Sequence, residues 1–461
     1  MNKYKKLASN TIILSIGSFG SKILSFLLIR FYTNILGAEL FSASEIFTST
    51  AFLLVPLAIL SIDEAILRFI LDKNYKNNEV YSAGIFVALL GNASLLVFAP
   101  LLNLIPDLKG RTILLYFCIF ASGFRMINQQ FIRARGYLKL YAFDGILTTF
   151  NLFLFNIIFM VVFKMGVEGY ILSIILSDIL SSLFIAVIAG NVEFIDFKLI
   201  SKKLLSTMLR YSIPMIPTFI LWWVVSASDK YMIRFMIGDT ENGLYSMATR
   251  IPTLISIIST IFFQAWQLSA ITEFDSEDSK KFYSTVFNAY QSILYIGSAG
   301  VLLFLIPIAK MLLGGYHGAY IFAPLLIIGV LMSCLCQFLS SIYSATKNTS
   351  HSLWTSLLAA VINVALNFFL IPRIGIQGAA LSTMISYGVC FIVRVYDTRK
   401  MLAYKIDWFK VASNFTTLFI MCIVLLGKYK YTPAYLITCC IVIGLLNLDE
   451  LNITIKKILR R

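Results

Sequence analysis

Residues 319–345 read AYIFAPLLIIGVLMSCLCQFLSSIYSA, a run of 27 residues without a charged side chain. About 20 apolar residues in an α-helix span the ~30 Å hydrocarbon core of a bilayer, so this run is long enough to cross a membrane. Similar blocks fill the chain: 59% of its 461 residues are hydrophobic and 13% are charged, whereas soluble domains have about 25% charged residues. The sequence therefore predicts an integral membrane protein.

Fourteen apolar blocks are separated by charged and turn residues. Because backbone polar groups inside a bilayer must be satisfied within their own segment, each block is predicted to be a helix, and the fold class is all-α. The predicted spans are 11–36, 43–71, 80–104, 112–132, 141–163, 167–190, 212–237, 243–271, 283–313, 319–345, 352–371, 376–396, 409–427 and 431–448. The first block is longer than the apolar region of about 7–15 residues in a cleaved signal peptide, so we interpret it as a span.

The distribution of lysine and arginine orients these spans. With the N-terminus inside, the inside segments hold 24 Lys and Arg and the outside loops hold 7, in agreement with the positive-inside rule. Both termini are therefore expected in the cytoplasm. The net charge of +15 is attributed to loops that face anionic membrane lipids, and no basic domain outside the membrane is large enough to bind nucleic acid. The seven cysteines lie in apolar stretches without metal-ligand spacing, so no metal site is predicted.

The sequence predicts two copies of one six-span unit. Asn156 precedes the run GVEGYILS at 166–173, and Asn367 precedes the run GIQGAALS at 375–382, at offsets of 211 and 209 residues. Six spans per copy give both copies the same orientation, a parallel repeat that is typical of transporters. The predicted architecture is two six-helix halves around a central cavity, plus two C-terminal helices. The predicted domains are the first half (1–191), a cytoplasmic amphipathic linker (192–211), the second half (212–400), and the last two spans with the tail (401–461).

Four motifs carry a resemblance to a known family. They are the G-x-x-G turn at 375–378, the run NFFLIPR at 367–373, the triplet Asp229-Lys230-Tyr231, and Ile237-Gly238 followed by Gly243-Leu244-Tyr245-Ser246. In their order and spacing, over the whole chain, they resemble the Wzx/RfbX-type flippases of polysaccharide repeat units (O-antigen, capsule or exopolysaccharide), which belong to the MOP (MATE-like) superfamily.

The resemblance implies a transporter rather than an enzyme. It implies that an oligosaccharide linked to undecaprenyl diphosphate is flipped from the inner to the outer leaflet of the bacterial cytoplasmic membrane, by alternating access, for cell-surface polysaccharide biosynthesis. It further implies coupling to an ion gradient or membrane potential, no cofactor, a functional monomer, and polysaccharide polymerase or export machinery as a partner.

Six cations inside spans are the candidate substrate ligands, because ionisable residues in a membrane core are costly and face a pore or a partner. They lie in the first two spans of each half: Lys22, Arg30, Arg68, Lys230, Arg234 and Arg250. A guanidinium stays charged and binds phosphate oxygens bidentately, which suits a diphosphate. Arg30 and Arg68 lie near the ends of their spans, where snorkelling to the interface is the alternative.

Four acids inside spans are candidates for ion coupling or for pairing with these cations. They are Asp63, Glu64, Asp178 and Asp229. Glu64 and Arg68 are four residues apart and could pair on one helix face. For Arg125 a structural ion pair and a functional role are both open, and for Asn363 and Asn367 the alternatives are interhelical hydrogen bonds and a polar path for sugar hydroxyls.

Two other functions were compared with flipping. An ion-coupled multidrug or small-molecule exporter of the MATE type would have an acidic cavity and twelve spans, whereas this chain has basic candidates and fourteen predicted spans. A membrane enzyme such as a polymerase or ligase would carry catalytic residues on a large outside loop, and the outside loops here are short.

Overall fold

A computed structural model describes residues 3–72, 74–102, 110–427, 429 and 431–459. These residues form helices and connections without a β-strand. Among them, eleven helices are long and apolar enough to cross a membrane, or twelve if the bent pair Thr50–Ala58 and Ile62–Ile70 is one span. The predicted all-α, multi-pass membrane fold is therefore confirmed, while the count of fourteen spans stays a prediction.

The chain divides into two compact units, an N-terminal unit of Ser9–Pro217 and a C-terminal unit of Thr218–Arg461 together with the first eight residues. The helices of the first unit are α1 (Lys3–Ala58, which starts in the other unit), α2 (Ile62–Ile70), α3 (Asn77–Leu102), α4 (Thr112–Ala134), α5 (Leu138–Asn156, prolonged by a π-helical turn Ile157–Val162), α6 (Gly166–Ile188) and α7 (Lys202–Ser212). The second unit contains most of α8 (Met215–Met236), then α9 (Asp239–Ala248), α10 (Thr253–Glu273), α11 (Ser279–Leu303), α12 (Leu305–Leu313), α13 (Ala323–Ala345), α14 (Thr349–Ile374), α15 (Ile376–Met401), α16 (Trp408–Gly427) and α17 (Thr432–Leu459).

Helix α1 ends later than the sequence predicts. The spans predicted from hydropathy leave a connection at residues 37–42, but α1 continues through it to Ala58. A single glycine in that stretch weakens a helix without ending it. The break comes instead at Leu60 and Ser61, whose φ angles of 53° and 48° are the left-handed conformation that often ends helices. Helix α2 then leaves at an angle of 54°.

Helix α4 coincides with the predicted span 112–132 but is not among the eleven apolar helices. Arg125, Asn128 and Gln129 lower its hydropathy, and the unit covers these polar side chains with neighbouring helices instead of lipid. The predicted span 11–36 lies within α1, and most of its side chains are outside the described residues.

The core of the N-terminal unit lies where α2, α3, α4 and α7 meet. Tyr81 stacks on Phe131 with ring centroids 4.0 Å apart. Helix α7, from the linker, contributes Leu204 and Met208 to this core and leaves Lys203 exposed. Helix α7 therefore has one buried apolar face and one exposed polar face, and neighbouring helices of the protein cover the apolar face.

Helix α13, which contains most of the apolar run quoted first, forms the centre of the C-terminal unit and contacts α10, α11, α15 and α16. The buried Trp266 stacks on Phe338 with centroids 4.6 Å apart, and its indole Nε1 donates to the Ser341 hydroxyl at 2.9 Å. Close packing and interhelical hydrogen bonds of this kind drive the association of helices in a bilayer. Most of this uncharged run is thus buried inside a helix bundle.

Each unit contains a long-range hydrogen bond at the start of a helix. Glu168 in the first turn of α6 accepts a hydrogen bond from Arg111 Nε at 2.7 Å, 57 residues upstream. Gln377 in the first turn of α15 donates to the Ile321 carbonyl at 2.8 Å, 56 residues upstream. The G-x-x-G runs that contain Glu168 and Gln377 are the ones on which the predicted repeat rests.

Candidate cation and diphosphate sites

The carboxylate of Asp229 on α8 is 2% exposed and accepts three hydrogen bonds. Asn367 Nδ2 donates to its Oδ1 at 2.6 Å. The hydroxyls of Thr383 and Tyr245 donate to its Oδ2 at 2.6 and 2.5 Å. These donors come from α14, α15 and α9, so four helices meet at one buried carboxylate. We call Asp229, Tyr245, Asn363, Asn367 and Thr383 the Asp229 cluster.

The two asparagines of the cluster lie one turn apart on α14 and are fully buried. Asn363 Nδ2 lies 3.3 Å from Thr383 Oγ1, and Asn363 Oδ1 accepts from Asn367 Nδ2 at 3.2 Å and from the Ser228 hydroxyl at 2.9 Å. The Asn367 Oδ1 atom is buried without a hydrogen-bond partner in the described part of the chain. Such an unsatisfied acceptor costs about 1–3 kcal/mol, so the cluster has acceptor capacity that the protein does not use.

Within the described part of the chain, the Asp229 cluster also lacks a counter-charge. Among the described residues, no Lys, Arg or His nitrogen lies within ion-pair distance of Asp229, and the neighbouring Lys230 is exposed. An ionised carboxylate without a partner is costly to bury. Carboxylate, amide and hydroxyl oxygens are ligands for hard cations. Because the cluster has one carboxylate, it suits one positive charge, either a proton or a monovalent metal ion such as Na⁺.

Three predicted substrate ligands lie near this cluster in the C-terminal unit. Lys230 and Arg234 are exposed one turn apart at the end of α8, and Arg250 is exposed in the turn between α9 and α10. Lys230 interacts electrostatically with both Arg250 and Asp229. In the described ranges, no carboxylate lies within 4 Å of Lys230 or Arg250. Accessible cations without acidic partners can bind an anion, although their role in substrate binding stays a prediction.

The candidates of the N-terminal unit whose side chains the structure describes lie on α2 and α6. Lys22 and Arg30 have side chains outside the described residues. Asp63 and Glu64 form the first turn of α2, and Asp63 is 3% exposed. Arg68 is 8% exposed and its Nη1 lies 3.8 Å from Asp72 Oδ2. This burial and ion pair favour a structural role for Arg68 over snorkelling.

A network that the sequence did not reveal lies between α4, α5 and α6. The Arg125 guanidinium is 3.3 Å from Asp144 Oδ2 and 3.3 Å from Asp178 Oδ1. Gln129 Nε2 donates to Asp144 Oδ2 at 2.7 Å, and the Ser181 hydroxyl donates to Asp144 Oδ1 at 2.5 Å. The guanidinium supplies the counter-charge of both carboxylates. Of the two roles considered for Asp178, pairing and ion coupling, this geometry favours pairing.

A second arginine has a role that the sequence did not indicate. Arg394 was counted with the inside-loop cations, but it is 1% exposed. Its guanidinium donates to Thr355 Oγ1 and Ser356 Oγ at 3.0 Å and to the Cys336 carbonyl at 2.9 Å, and it lies 5.3 Å from the Trp222 ring. Arg394 on α15 is therefore hydrogen-bonded to both α13 and α14.

The sequence named Asp229 and the two asparagines of α14 but missed two members of the cluster. Tyr245 lies in the run Gly243–Ser246, one of the motifs that carried the family resemblance, and that motif was the available signal. Thr383 has no comparable signal, because an isolated threonine in an apolar helix is indistinguishable from its neighbours until the helices are packed.

A multi-pass helical fold with a buried carboxylate close to exposed cations is typical of membrane transporters. A family model described as "Polysaccharide biosynthesis protein" matches residues 7–267, and one described as "Lipid II flippase MurJ" matches residues 316–446. The first match covers more than half of the chain, so the chain belongs to the polysaccharide biosynthesis protein family. This family and the MurJ match place it among the polysaccharide and lipid flippases of the MOP superfamily, as the sequence motifs predicted.

Solved structures share the fold at low sequence identity. A MATE protein in its straight conformation is 16% identical over 87% of this chain and 97% of its own, with a TM-score of 0.73. A multidrug resistance MATE family transporter of the MOP superfamily, in an outward-facing conformation, is 15% identical over the same shares, with a TM-score of 0.72. A mutant of the Vibrio cholerae MATE transporter VcmN is 14% identical over 86% of this chain and 96% of its own, also at 0.72. No curated protein sequence matches the chain. These likenesses establish a MATE-like fold.

Proposed function

We propose that this protein flips an oligosaccharide linked to undecaprenyl diphosphate from the inner to the outer leaflet of the bacterial cytoplasmic membrane, for cell-surface polysaccharide biosynthesis. Membership of a flippase family supports a lipid-linked substrate. The observation that carries the proposal is the pair of neighbouring charges on α8. Among the residues that the structure describes, the buried Asp229 has no cationic partner and the exposed Lys230 has no carboxylate within 4 Å.

In this mechanism the two charges link ion binding to lipid binding. A cation on Asp229 neutralises a negative charge close to Lys230 and Arg250. It thereby raises the affinity of these two residues for a diphosphate. Two unit charges about 8 Å apart, at an effective dielectric constant of about 20, interact by about 2 kcal/mol. That corresponds to a factor of about 30 in affinity, which is enough for an ion gradient to bias which side of the membrane binds the lipid.

The diphosphate ligands of the C-terminal unit are proposed to be Lys230, Arg234 and Arg250, while Lys22 and Arg30 of the first half stay predictions from the sequence. Arg68 is a weaker candidate because it is buried beside Asp72. The lipid tail stays in the bilayer while the saccharide passes through a polar path, and transport ends when the cavity opens to the opposite side.

The proposed arrangement has fourteen spans, with two parallel six-span halves, a linker at 192–211 and two additional helices from residue 401. The long-range hydrogen bonds of Glu168 and Gln377, which lie at corresponding positions of the two halves, support the repeat. The Lys and Arg count supports cytoplasmic termini. The protein would act as a monomer, contact anionic lipids through its basic inside loops, and deliver its product to polymerase or export machinery.

The test is the leaflet location of a labelled lipid-linked saccharide in vesicles that contain the purified protein. A non-permeant glycosidase or lectin reports which leaflet holds the label. We expect the wild type to move the lipid and Arg250→Gln to move it at a strongly reduced rate. The matched control is Arg373→Gln, which removes an exposed arginine of the same unit that was assigned to an outside loop. If the wild type moves no lipid under an imposed ion gradient or potential, the proposed function is wrong.

A second candidate is an ion-coupled multidrug exporter of the MATE type, which the fold likeness to a multidrug resistance transporter favours. The exposed groups beside the Asp229 cluster are cations, which repel cationic drugs. Export of cationic dyes from the same vesicles, with no movement of the lipid, would support this alternative.

A further inference from the structure

A groove of about 440 Å³ lies on the C-terminal unit between α14 and α15. It is at the start of α14 and the end of α15, the end that the Lys and Arg distribution assigns to the cytoplasmic side. Its lining combines aromatic, apolar and charged side chains: His351, Trp354, Thr355, Leu358, Val393, Tyr396, Asp397 and Lys400. None of these residues belongs to the Asp229 cluster or to the proposed diphosphate ligands.

The groove continues into an apolar stripe on α14. Trp354, Leu358, Val361 and Phe368 follow one another at intervals that keep them on one helix face, and they are 65%, 38%, 58% and 61% exposed. From the first to the last, a helix rises by about 21 Å, which exceeds half of the ~30 Å hydrocarbon core of a bilayer. The stripe therefore has the length and polarity to accommodate an acyl chain, with the groove at the headgroup level, where Trp and Tyr are enriched.

Asp397 and Lys400, which both line the groove, carry opposite charges and do not form an ion pair with each other. Asp397 Oδ2 accepts hydrogen bonds from the Tyr343 hydroxyl at 2.7 Å and from His351 Nδ1 at 2.9 Å, which fixes the orientation of the carboxylate. In the described part of the chain, Asp397 Oδ1 has no hydrogen-bond partner and Lys400 has no carboxylate within 4 Å. The groove thus presents one fixed acceptor and one available ammonium, three residues apart on α15.

We infer that this groove binds the headgroup of an inner-leaflet phospholipid of the phosphoethanolamine class. The primary ammonium of that headgroup would donate to Asp397 Oδ1, and its phosphodiester would accept from Lys400. A choline headgroup carries no N–H donor for the carboxylate. A purely anionic headgroup would satisfy Lys400 but would be repelled by Asp397. A zwitterion with a hydrogen-bonding amine complements both groups.

Trp354 allows the test, because bromine atoms on an acyl chain quench a nearby indole. The protein is placed in phosphatidylcholine vesicles that contain a fixed fraction of brominated phosphatidylethanolamine, phosphatidylglycerol or phosphatidylcholine. The signal of Trp354 is the difference between the wild type and Trp354→Phe. We expect brominated phosphatidylethanolamine to bind about tenfold more tightly than phosphatidylcholine, as for one added charge-assisted hydrogen bond.

Three variants identify the groups responsible. Asp397→Asn keeps an acceptor for Tyr343 and His351 but should reduce the ethanolamine preference to about the level of phosphatidylcholine. Lys400→Gln should weaken the preference for phosphatidylethanolamine. The control Arg399→Gln, which removes a charge outside the groove, should leave this preference unchanged. Equal quenching by all three headgroups would mean bulk lipid contact and would overturn the inference. A preference for phosphatidylglycerol that Lys400→Gln abolishes would also overturn it, in favour of an anionic lipid.

Discussion

Replacing Asp229 by asparagine should make diphosphate binding independent of the coupling cation. Asparagine retains an oxygen for Asn367, and the hydroxyls of Thr383 and Tyr245 can turn to accept from the new amide, because a hydroxyl is both donor and acceptor. The fold should therefore survive. The substitution removes one negative charge beside Lys230, as a bound cation does.

The expected change in diphosphate affinity follows from the interaction between the charges of Asp229 and the diphosphate. The wild type without a cation should bind a diphosphate about 30-fold more weakly than with one, for an interaction of about 2 kcal/mol at a separation of about 8 Å. The asparagine variant should bind with the higher affinity in both conditions.

The assay is titration of the detergent-purified protein with a prenyl diphosphate, in sodium chloride or choline chloride at equal ionic strength and over a series of pH values. Sodium and proton dependence are thereby measured separately. Asp449→Asn, the same substitution at an exposed position of α17, is the matched control and should behave as the wild type does. Cation dependence that persists in the Asp229 variant, or a wild type without any, would refute the linkage between the two sites.

Further predictions concern the diphosphate ligands and two buried polar contacts. Arg250→Gln should weaken prenyl diphosphate binding about tenfold, through loss of a charge-assisted hydrogen bond, without a change in melting temperature; unchanged affinity would exclude Arg250 from the site. Arg125→Leu leaves the two carboxylates that it contacts without a cation and should destabilise the protein by about 3–5 kcal/mol, measured by denaturant unfolding in detergent; a loss below ~1 kcal/mol would mean that the network is not ionic. Asn414 and Asn447 are fully buried and donate hydrogen bonds to each other at 3.3 and 2.9 Å. Asn447→Leu alone should therefore reduce the free energy of unfolding by about 1–3 kcal/mol, and replacing both asparagines by leucine should recover most of that stability. Additive losses of stability in the double variant would contradict the pairing.

The membrane fold was predictable because hydropathy reports directly what a bilayer demands of a helix. The end of α1 was not predictable. Residues 37–42 contain the glycine that a sequence analysis treats as a boundary, whereas the helix ends at Leu60 and Ser61, neither of which is a usual residue for a left-handed turn. Gly91 of α3 packs closely against Ala58 and Leu60 at this turn, and such packing between distant residues cannot be deduced from a local stretch of sequence.

The site could be predicted in part for a similar reason. Intramembrane charge identified Asp229, Lys230 and Arg250, because each violates the apolar pattern by itself. The partners of Asp229 come from three other helices, and they are polar residues of ordinary kinds. Likewise, Arg125 was recognised as an intramembrane cation, but its two carboxylates on α5 and α6 were identified as its partners only by the packed structure.

The measurement that tests the central claim most directly is gradient-driven movement of the lipid. Vesicles containing the protein receive a labelled lipid-linked saccharide and an imposed gradient of Na⁺ or of protons, and the fraction of label accessible to a non-permeant glycosidase is followed. We predict accumulation in one leaflet that reverses when the gradient is reversed and that is lost in Asp229→Asn. Equilibration of the two leaflets without accumulation, whatever the gradient, would contradict ion-coupled flipping.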